Sequence, residues 1–312
     1  MADKKATREA YGEALKEFGA KYDIVVLDAD LTKSTKTDTF KKAFPERHIN
    51  CGIAEGNMMD VAAGIATTGK TVFASSFAMF AAGRAYEQIR NGIGYTHLNV
   101  KIGATHAGLS VGEDGATHQC NEDIGLMTTI PGMTVLCPCD AGSTRAAVEA
   151  AILHDGPVYL RLGRLAVESI YPADLKLEIG KGNVLREGTD VTLIATGLMV
   201  QITLKAAEML AEQGISARVI DMISLKPIDE ELIIKAAKET GCIVTAEEHN
   251  RFGGLGSLVS SVVVNNAPVP VRMVAVEDSF GKSGKVPAVL EKFGLTAENI
   301  VAKALEAIKA KN

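Results

Sequence analysis

The sequence is poor in several features that would point to particular classes of protein. It has no tryptophan, and aromatic residues make up only 5% of its 312 residues. Its formal net charge of −5 argues against nucleic acid or an anionic membrane as a partner. No apolar run is long enough to span a membrane, and the N-terminal segment lacks the apolar core of a signal peptide. The five scattered cysteines fit a reducing compartment, so we expect a cytoplasmic protein with no nucleic-acid and no membrane partner.

The sequence also lacks a recognisable metal-binding pattern. The close cysteine pair Cys137-Pro-Cys139 has no further ligands at a spacing that zinc would require, so we predict a structural role for it. Gly253-Gly-Leu-Gly256 does not match the dinucleotide-binding fingerprint and lacks its acidic partner, so we predict close packing there. We therefore predict no metal ligands in this chain.

What the sequence does contain is an alternation of short apolar runs with helical segments. Runs such as Ile24–Ala29 and Val158–Arg161 are typical of strands buried on both faces. Their alternation with helical patterns predicts an α/β fold with a mostly parallel sheet covered by helices on both faces. The alternation of strands and helices is interrupted between residues 166 and 187, and a second alternating unit begins at Asp190.

This break in the pattern predicts two domains. We place the first at residues 1–170 and a smaller α/β domain at residues 187–312. Between them, proline and glycine interrupt the pattern, so we expect a linker with short strands at residues 171–186.

One polar segment, His106–Gln119, stands out in the first domain. It holds two of the six histidines and the acidic pair Glu113 and Asp114. Its three glycines predict a loop, and this loop follows the strand-like run Leu98–Thr105. Ligands bind at the carboxyl ends of strands in open α/β sheets, so we expect this loop to carry chemistry. The alternative is a polar surface loop with incidental histidines.

Two further features belong to the first domain. The predicted helix Ile53–Ala66 is so apolar that it must be buried, and Glu55 lies near its start. A buried carboxylate must be paired or neutralised, although Glu55 could instead interact only with the positive end of the helix dipole. Phe77 and Phe80 lie three residues apart, on one face of a helical turn. They are either core residues or an aromatic wall.

Six motifs occur in an order and at spacings that together are highly specific. They are Asp30-Leu-Thr-Lys-Ser34, Gly52-Ile-Ala-Glu55, Phe77-Ala-Met-Phe80, Gly112-Glu-Asp-Gly-Ala-Thr-His118-Gln119, Pro138-Cys-Asp140 and Pro157-Val-Tyr-Leu-Arg-Leu-Gly-Arg164. On these motifs the chain resembles the C-terminal half of transketolase over nearly its whole length. The resemblance implies that the first domain binds the pyrimidine of thiamine diphosphate. It implies that the second is the transketolase C-terminal domain, which has no direct catalytic part in the family.

The resemblance also implies a missing part. Full-length transketolases bind the diphosphate and Mg²⁺ through a Gly-Asp-Gly motif, followed at a distance by asparagine, in a separate N-terminal domain. No Gly-Asp-Gly occurs in this sequence; the nearest strings are Glu113-Asp-Gly115 and His154-Asp-Gly156. The chain therefore resembles one subunit of a split transketolase. The partner expected from this resemblance is an N-terminal diphosphate-binding subunit that holds most of the Mg²⁺ site.

On the cofactor side, the resemblance assigns four positions. It implies that Glu55 is catalytic and shares a proton with the pyrimidine ring, and that Phe77 and Phe80 wall that ring. It places Asp30 close to the cofactor and to the interface of a dimeric core. The third aromatic of bacterial transketolases falls at Gly83, and Tyr86 is the alternative for that wall.

On the substrate side, the resemblance implies phosphate-binding roles for Arg8, Ser34, His106 and Arg164. Arginine suits this task because its planar fork makes bidentate contacts with phosphate. We expect positive charge on His106 as well, while Arg164 could alternatively be a surface arginine paired with a carboxylate. The resemblance further implies that Asp114 binds a substrate hydroxyl. It places His118 and His106 among the catalytic residues, with His118 near the reacting carbon.

The function implied is the transfer of a two-carbon ketol unit from a ketose phosphate to an aldose phosphate, as in the pentose phosphate pathway. The enzyme would be a heterotetramer built on a dimer of this subunit. Alternatives are the pyrimidine-domain subunit of a 1-deoxyxylulose-5-phosphate synthase-like enzyme or the beta subunit of a 2-oxo-acid dehydrogenase. A non-catalytic assembly subunit is a further alternative, which the presence of Glu55, His106, Asp114 and His118 together disfavours.

Overall fold

The computed structural model describes residues 4–311 of the chain. The strands are β1 (Lys4–Ala6), β2 (Ile24–Asp28), β3 (His48–Asn50), β4 (Thr71–Phe77), β5 (Val100–Thr105), β6 (Thr134–Leu136), β7 (Val158–Arg161), β8 (Ala166–Glu168), β9 (Asn183–Arg186), β10 (Val191–Ala195), β11 (Ala217–Asp221), β12 (Ser224–Lys226), β13 (Ile243–Asn250) and β14 (Val271–Val276). The α-helices are α1 (Thr7–Gly19), α2 (Thr32–Thr35), α3 (Asp38–Ala43), α4 (Glu55–Ala66), α5 (Tyr86–Gln88), α6 (Asp123–Thr128), α7 (Ala141–Leu153), α8 (Met199–Glu212), α9 (Glu230–Thr240), α10 (Leu255–Asn266), α11 (Val286–Lys292) and α12 (Ala297–Lys311). No helix in this range is long and apolar enough to cross a membrane.

The first sheet has seven strands in the order β12-β6-β7-β5-β4-β2-β3. All neighbouring pairs are parallel except β12–β6, which is antiparallel. Every residue of β2, β5, β6 and β7 is buried, as expected for strands covered on both faces. Helices α1 and α7 pack on one face through residues such as Phe18 and Val148. Helix α4 packs on the other face through Met58 and Met59.

The second sheet has five strands in the order β14-β13-β10-β11-β9. The four strands from β14 to β11 run parallel, and β9 is antiparallel at the edge. Helices α8 and α12 cover one face, and α9 and α10 cover the other. Strand β9 comes from the segment predicted as a linker, and β12 returns to the first sheet. The exact domain boundaries stay a prediction.

The helical segment that follows Phe77 departs most from regular α-helical geometry. Met79–Arg84 and Ile89–Gly94 are wide π-helical turns with the short α5 between them. Such turns insert a residue into the helix and are frequent at functional sites. The glycine-rich segment His106–Gln119, which we predicted to be a loop, also contains short helical turns. Leu109–Asp114 forms two 3₁₀ turns, which are broken at Gly112, where φ is 81°.

The parallel strands bring chemically active side chains to one edge of the first sheet. Asp30, Phe77, His106 and Arg164 lie at or just beyond the carboxyl ends of β2, β4, β5 and β7. Asp30 and His106 both have positive φ, 61° and 59°. Non-glycine residues adopt this conformation at a cost and concentrate at functional sites. This edge therefore holds the candidate site.

Candidate active site

The cationic end of the site is built around Arg8, in the first turn of α1. Its Nη1 donates to the carbonyl oxygen of Ser34 at 2.9 Å and to Nε2 of His106 at 3.1 Å. The other ring nitrogen of His106, Nδ1, lies 2.9 Å from Oγ1 of Thr105. Burial, together with the positive charges of Arg8 and Arg164, lowers the pKa of His106 to about 3. The expectation of positive charge on His106 is therefore wrong, and the arginines supply the charge.

A cluster of aromatic rings continues from His106. The imidazole stacks on Phe77 with ring centres 3.8 Å apart, and Phe77 stacks on Phe80 at 5.6 Å and 12°. His118 meets both phenylalanines edge-on, and its ring centre is 5.3 Å from that of Phe80. We call His106, Phe77, Phe80 and His118 the ring cluster. The two phenylalanines thus form a wall that faces histidines rather than an ordinary core.

Glu55 lies at the far end of the ring cluster, as the first residue of α4. It is only 3% exposed, yet both its carboxylate oxygens lie 3.0 Å from Nη1 of Arg84. The guanidinium carbon of Arg84 also sits 4.7 Å from the centre of the Phe80 ring. A buried carboxylate needs such a partner. Sequence reasoning did not assign Arg84, although an arginine in an alanine- and glycine-rich stretch four residues after Phe80 was an available signal.

The third aromatic position is filled differently from either expectation. A Cβ atom added at Gly83 would collide with the end of the Met79 side chain. The Tyr86 hydroxyl lies 3.2 Å from Oγ1 of Thr129, and within residues 4–311 its ring contacts neither Phe77 nor Phe80. Arg84 is therefore the side chain that extends the wall beyond Phe80.

Arg164 and Asp114 lie on the other side of the site. Arg164 Nη1 donates to the carbonyl oxygen of Val111 and lies 3.5 Å from a carboxylate oxygen of Glu113. The alternative of a surface ion pair is thus present in the structure. Asp114 is exposed at the end of the same turns. The segment that carries Asp114 also carries His106, and Arg164 contacts this segment through Val111 and Glu113.

Asp30 is held apart from the ring cluster, in the loop after β2. Its backbone N–H donates to Oδ1 of Asn50 at 3.1 Å, and Nδ2 of Asn50 donates back to its carboxylate at 3.2 Å. Nearby, the buried Asp28 contacts Nε2 of His48 at 2.7 Å and accepts from Oγ1 of Thr37 at 3.2 Å. Sequence reasoning missed these polar partners. They fix the loop that carries both Asp30 and Ser34.

The structure thus links most of the predicted residues in one continuous series of contacts. In order along it, the series contains Ser34, Arg8, His106, Phe77, Phe80, Arg84 and Glu55, with His118 against the two phenylalanines. Asp30, Asp114 and Arg164 lie on neighbouring loops and do not join the series directly. Over the described range, no group of three or more histidine, cysteine or acidic side chains could hold a metal ion.

Comparison with known proteins identifies the family. The family described as "Transketolase, pyrimidine binding domain" matches residues 3–169, and "Transketolase, C-terminal domain" matches residues 180–300. The chain belongs to the transketolase family. A "Putative transketolase C-terminal section" from Methanocaldococcus jannaschii is 50% identical over 98% of this chain and 97% of its own length. A 6-deoxy-6-sulfo-D-fructose transketolase subunit from a Clostridium species is 44% identical over 98% of this chain and 95% of its own length.

A solved structure extends the comparison to three dimensions. It is described as "Split gene transketolase, inactive beta4 tetramer" and is 56% identical, with a TM-score of 0.93. The match covers 98% of this chain and 99% of that one. These findings confirm the family resemblance, the two α/β domains and the correspondence to the C-terminal section of a transketolase, which is a transferase. They also imply a partner subunit and oligomerisation.

Family membership implies thiamine diphosphate as the cofactor, and the side chains of this chain fit its pyrimidine. The parallel rings of Phe77 and Phe80 offer an apolar aromatic wall, and stacking contributes about 0.5–1.5 kcal/mol beyond burial. Glu55 provides a buried carboxylate that Arg84 links to that wall. An apolar face beside a single buried acid matches a heterocycle with basic ring nitrogens. The Gly253-Gly-Leu-Gly256 segment, in contrast, is occupied by the protein itself, since the N–H groups of Leu255 and Gly256 donate to Glu247.

Proposed function

We propose that this chain is the C-terminal subunit of a cytoplasmic two-chain transketolase. With a separate diphosphate-binding subunit, it transfers a two-carbon ketol unit from a ketose phosphate to an aldose phosphate, a reaction type of the pentose phosphate pathway. The observation that carries the proposal is the series of contacts from Arg8 to Glu55. It places a buried acid at one end of an aromatic wall and arginine at the other.

On the cofactor side, Phe77 and Phe80 hold the pyrimidine by stacking. Thiamine diphosphate, when bound, supplies the nucleophilic carbon for ketol transfer. Glu55 shares a proton with the pyrimidine ring nitrogen through its carboxylate, a task for which its burial suits it. Asp30 would lie close to the bound cofactor and to the interface of the dimeric core. Arg84 orients the carboxylate of Glu55 from the solvent side.

On the substrate side, Arg8, Arg164 and Ser34 hold the phosphate. The neutral His106 takes part through Arg8. Hydrogen bonds from arginine to phosphate are strong because both partners are charged. His106 accepts from Arg8 and thereby orients its guanidinium group. Nδ1 of His118 lies 2.9 Å from Oγ1 of Thr117, which leaves Nε2 for proton transfer near the reacting carbon. Asp114 binds a substrate hydroxyl.

The diphosphate and Mg²⁺ belong mainly to the partner subunit in this proposal. Mg²⁺ prefers octahedral coordination by carboxylates, phosphate and water, and residues 4–311 contain no acidic cluster suited to it. We propose a heterotetramer in which two copies of this chain form the core. The description of a similar chain as an inactive beta4 tetramer supports the view that self-association alone does not complete the site.

The test is reconstitution of the two-chain enzyme. The purified chain alone should transfer no ketol unit, whereas the complex should do so with thiamine diphosphate and Mg²⁺. Robust transfer by the isolated chain would overturn the two-subunit proposal. If the complex decarboxylated 2-oxo acids or formed 1-deoxyxylulose 5-phosphate without ketol transfer, one of the two related thiamine enzymes would be the better assignment.

A further inference from the structure

The second domain contacts the candidate active site, most directly through Glu248. The backbone N–H and the hydroxyl of Ser110 both donate to the carboxylate of Glu248, the hydroxyl at 3.2 Å. Ser110 belongs to the segment Gly108–Gly115, which we call the active-site loop, and Glu248 lies near the end of β13. Both side chains are almost completely buried, at 2% and 4% exposure. A buried carboxyl group that accepts two hydrogen bonds holds its partners firmly, and burial raises the pKa of Glu248 from 4.5 to about 7.

The active-site loop has almost no freedom around this contact. Gly108 has a φ of 78°, and a Cβ atom there would collide with the Glu248 carboxylate. On the opposite side, Nε2 of Gln119 donates to the carbonyl oxygens of Leu109 at 3.2 Å and of Lys282 at 2.9 Å. Gly112 packs against Val286, whose Cγ2 would lie 3.1 Å from an added Cβ atom. The loop is therefore clamped between two elements of the second domain.

The position of Glu248 is itself fixed from the first domain. Arg161 donates through Nη2 to the carbonyl oxygen of Glu248 at 2.9 Å, and through Nε to Asp123 at 2.9 Å. The backbone N–H of Asn250 donates to the carbonyl oxygen of Asn121 at 2.8 Å. These bonds hold the end of β13 in register with the carboxyl edge of the first sheet. Glu248 is thus a rigid support rather than a mobile surface side chain.

We propose that Glu248 is a positioning residue that sets the geometry of the active-site loop through Ser110. The loop carries Val111, whose carbonyl oxygen holds Arg164, and it carries Asp114. The consequence of this positioning for catalysis rests on the proposed function, because Arg164 and Asp114 bind substrate only under that proposal. The ordering of the loop does not depend on it. The second domain of this transketolase would then act on substrate binding without touching substrate.

Glu247, the preceding residue, offers a matched control. It is equally buried and also accepts two hydrogen bonds, from the backbone N–H groups of Leu255 at 2.7 Å and Gly256 at 2.8 Å. Both of these donors belong to the start of α10, within the second domain. Glu247→Ala and Glu248→Ala should therefore cost similar stability while loosening different segments.

The experiment is hydrogen exchange followed by mass spectrometry on the full chain, alone and in the complex. Glu248→Ala should speed amide exchange in residues 108–115 by roughly ten- to a hundredfold, as expected for the loss of two buried hydrogen bonds. Glu247→Ala should speed exchange at the start of α10 and leave the loop unchanged. Glu248→Gln should restore slow exchange, because its amide can accept from the Ser110 N–H and donate to the hydroxyl. Unchanged loop exchange in Glu248→Ala, or equal loop exchange in both alanine variants, would overturn the proposal.

Kinetics separate this inference from the proposed function. In the active complex, Glu248→Ala should raise KM for phosphorylated donors by about tenfold, and Glu248→Gln should stay near the wild type. If Glu248→Ala is too unstable to purify, Ser110→Ala should show a weaker form of the same rise in KM. Ordinary KM in both Glu248→Ala and Ser110→Ala would overturn the positioning role. A complex without ketol transfer would instead count against the proposed function, and loop exchange would still decide the inference.

Discussion

The carboxyl edges of the two mostly parallel sheets have similar architecture, but their polar side chains have different partners. At the first edge, Phe77 and His106 belong to the ring cluster, and Arg164 contacts the active-site loop. At the second edge, the polar side chains form hydrogen bonds with other groups of the protein. Asp221 accepts from the Tyr171 hydroxyl at 3.0 Å, and Glu248 accepts from Ser110.

The contrast shows that topology supplies an edge but not a function. Parallel strands in both domains end in polar residues at the place where ligands usually bind. At the second edge, these residues find protein partners such as the N–H groups of Leu255 and Ser110. At the first edge, Arg84 and His118 remain partly exposed beside an aromatic wall. Function therefore follows from which polar groups are left for a ligand.

The sharpest test of the contrast compares two buried glutamates, Glu55 in the first turn of α4 and Glu247 in β13, whose carboxylate lies against the start of α10. Glu55→Gln in the complex should lower kcat by at least about a hundredfold, because the amide cannot share a proton with the pyrimidine nitrogen. Glu247→Gln at the second edge should change kcat by less than about threefold, since its role is to accept N–H groups of α10. Steady-state kinetics on both complexes, with folding checked by circular dichroism, provide the measurement. Wild-type turnover by Glu55→Gln would reduce Glu55 to a helix-start carboxylate.

A second comparison uses two exposed arginine–carboxylate pairs, one at each edge. Arg164 lies 3.5 Å from Glu113, and Arg251 lies 3.2 Å from Glu277. Arg164→Ala should lower kcat/KM for phosphorylated donors by roughly ten- to a hundredfold, mainly through KM. The loss for unphosphorylated hydroxypyruvate should be much smaller. Arg251→Ala should change neither donor by more than about twofold, since exposed pairs contribute little.

The two donors decide between the alternatives for Arg164. Equal losses with both donors would mean that Arg164 supports the fold or the cofactor and not the substrate phosphate. Absence of any loss would leave it as an ordinary surface ion pair, like Arg251.

A third comparison concerns the groups that compensate each buried glutamate carboxylate. Glu55 depends on Arg84, whose side chain is 55% exposed, whereas Glu247 depends on backbone N–H groups. Arg84→Ala should lower the free energy of unfolding by about 1–3 kcal/mol, less than for a fully buried pair because water can partly replace the guanidinium. Adding Glu55→Gln should recover much of this loss, because no buried charge then remains unpaired. Urea unfolding of the four variants in the cycle measures it; strict additivity would contradict the pairing.

The smallest expected effect is a difference in pH dependence between the edges. Burial raises the pKa of Glu247 from its ordinary 4.5 to about 7, whereas burial lowers that of His106 from 6.5 to about 3. A raised carboxyl pKa stabilises the fold below about pH 4.5, and this stabilisation is lost as pH rises through 7. A lowered histidine pKa has the opposite sign: its contribution is present above about pH 6.5 and is lost as pH falls towards 3.

Replacing Glu247 should therefore weaken the decrease in the free energy of unfolding as pH rises towards 7. In Glu247→Gln, the free energy of unfolding should fall less between pH 5 and 7.5 than it does in the wild type. Denaturant titrations at both pH values measure the difference. Parallel profiles for the two proteins would show that Glu247 carries no such proton linkage.

Local pattern was sufficient to predict most of the regular structure. The continuous apolar runs at Ile24–Ala29 and Val158–Arg161 correspond to β2 and β7. The π-helical turns after Phe77, the short strand β12 and helix α9 were not predicted. β12 pairs with β6, more than eighty residues earlier in the chain, and no local pattern reveals such a distant partner. The site residues were named through family motifs, and their roles stay proposals.

The sequence by itself determined the fold class, the family and the absence of a Gly-Asp-Gly motif, because these depend on residue order alone. Only the tertiary structure decided the protonation of His106, the pairing of Glu55 with Arg84, and the contact of Glu248 with Ser110. Each of these depends on burial and on a neighbour that is distant in sequence. Desolvation and the Coulomb interaction act through space, so they are settled only when the chain has packed.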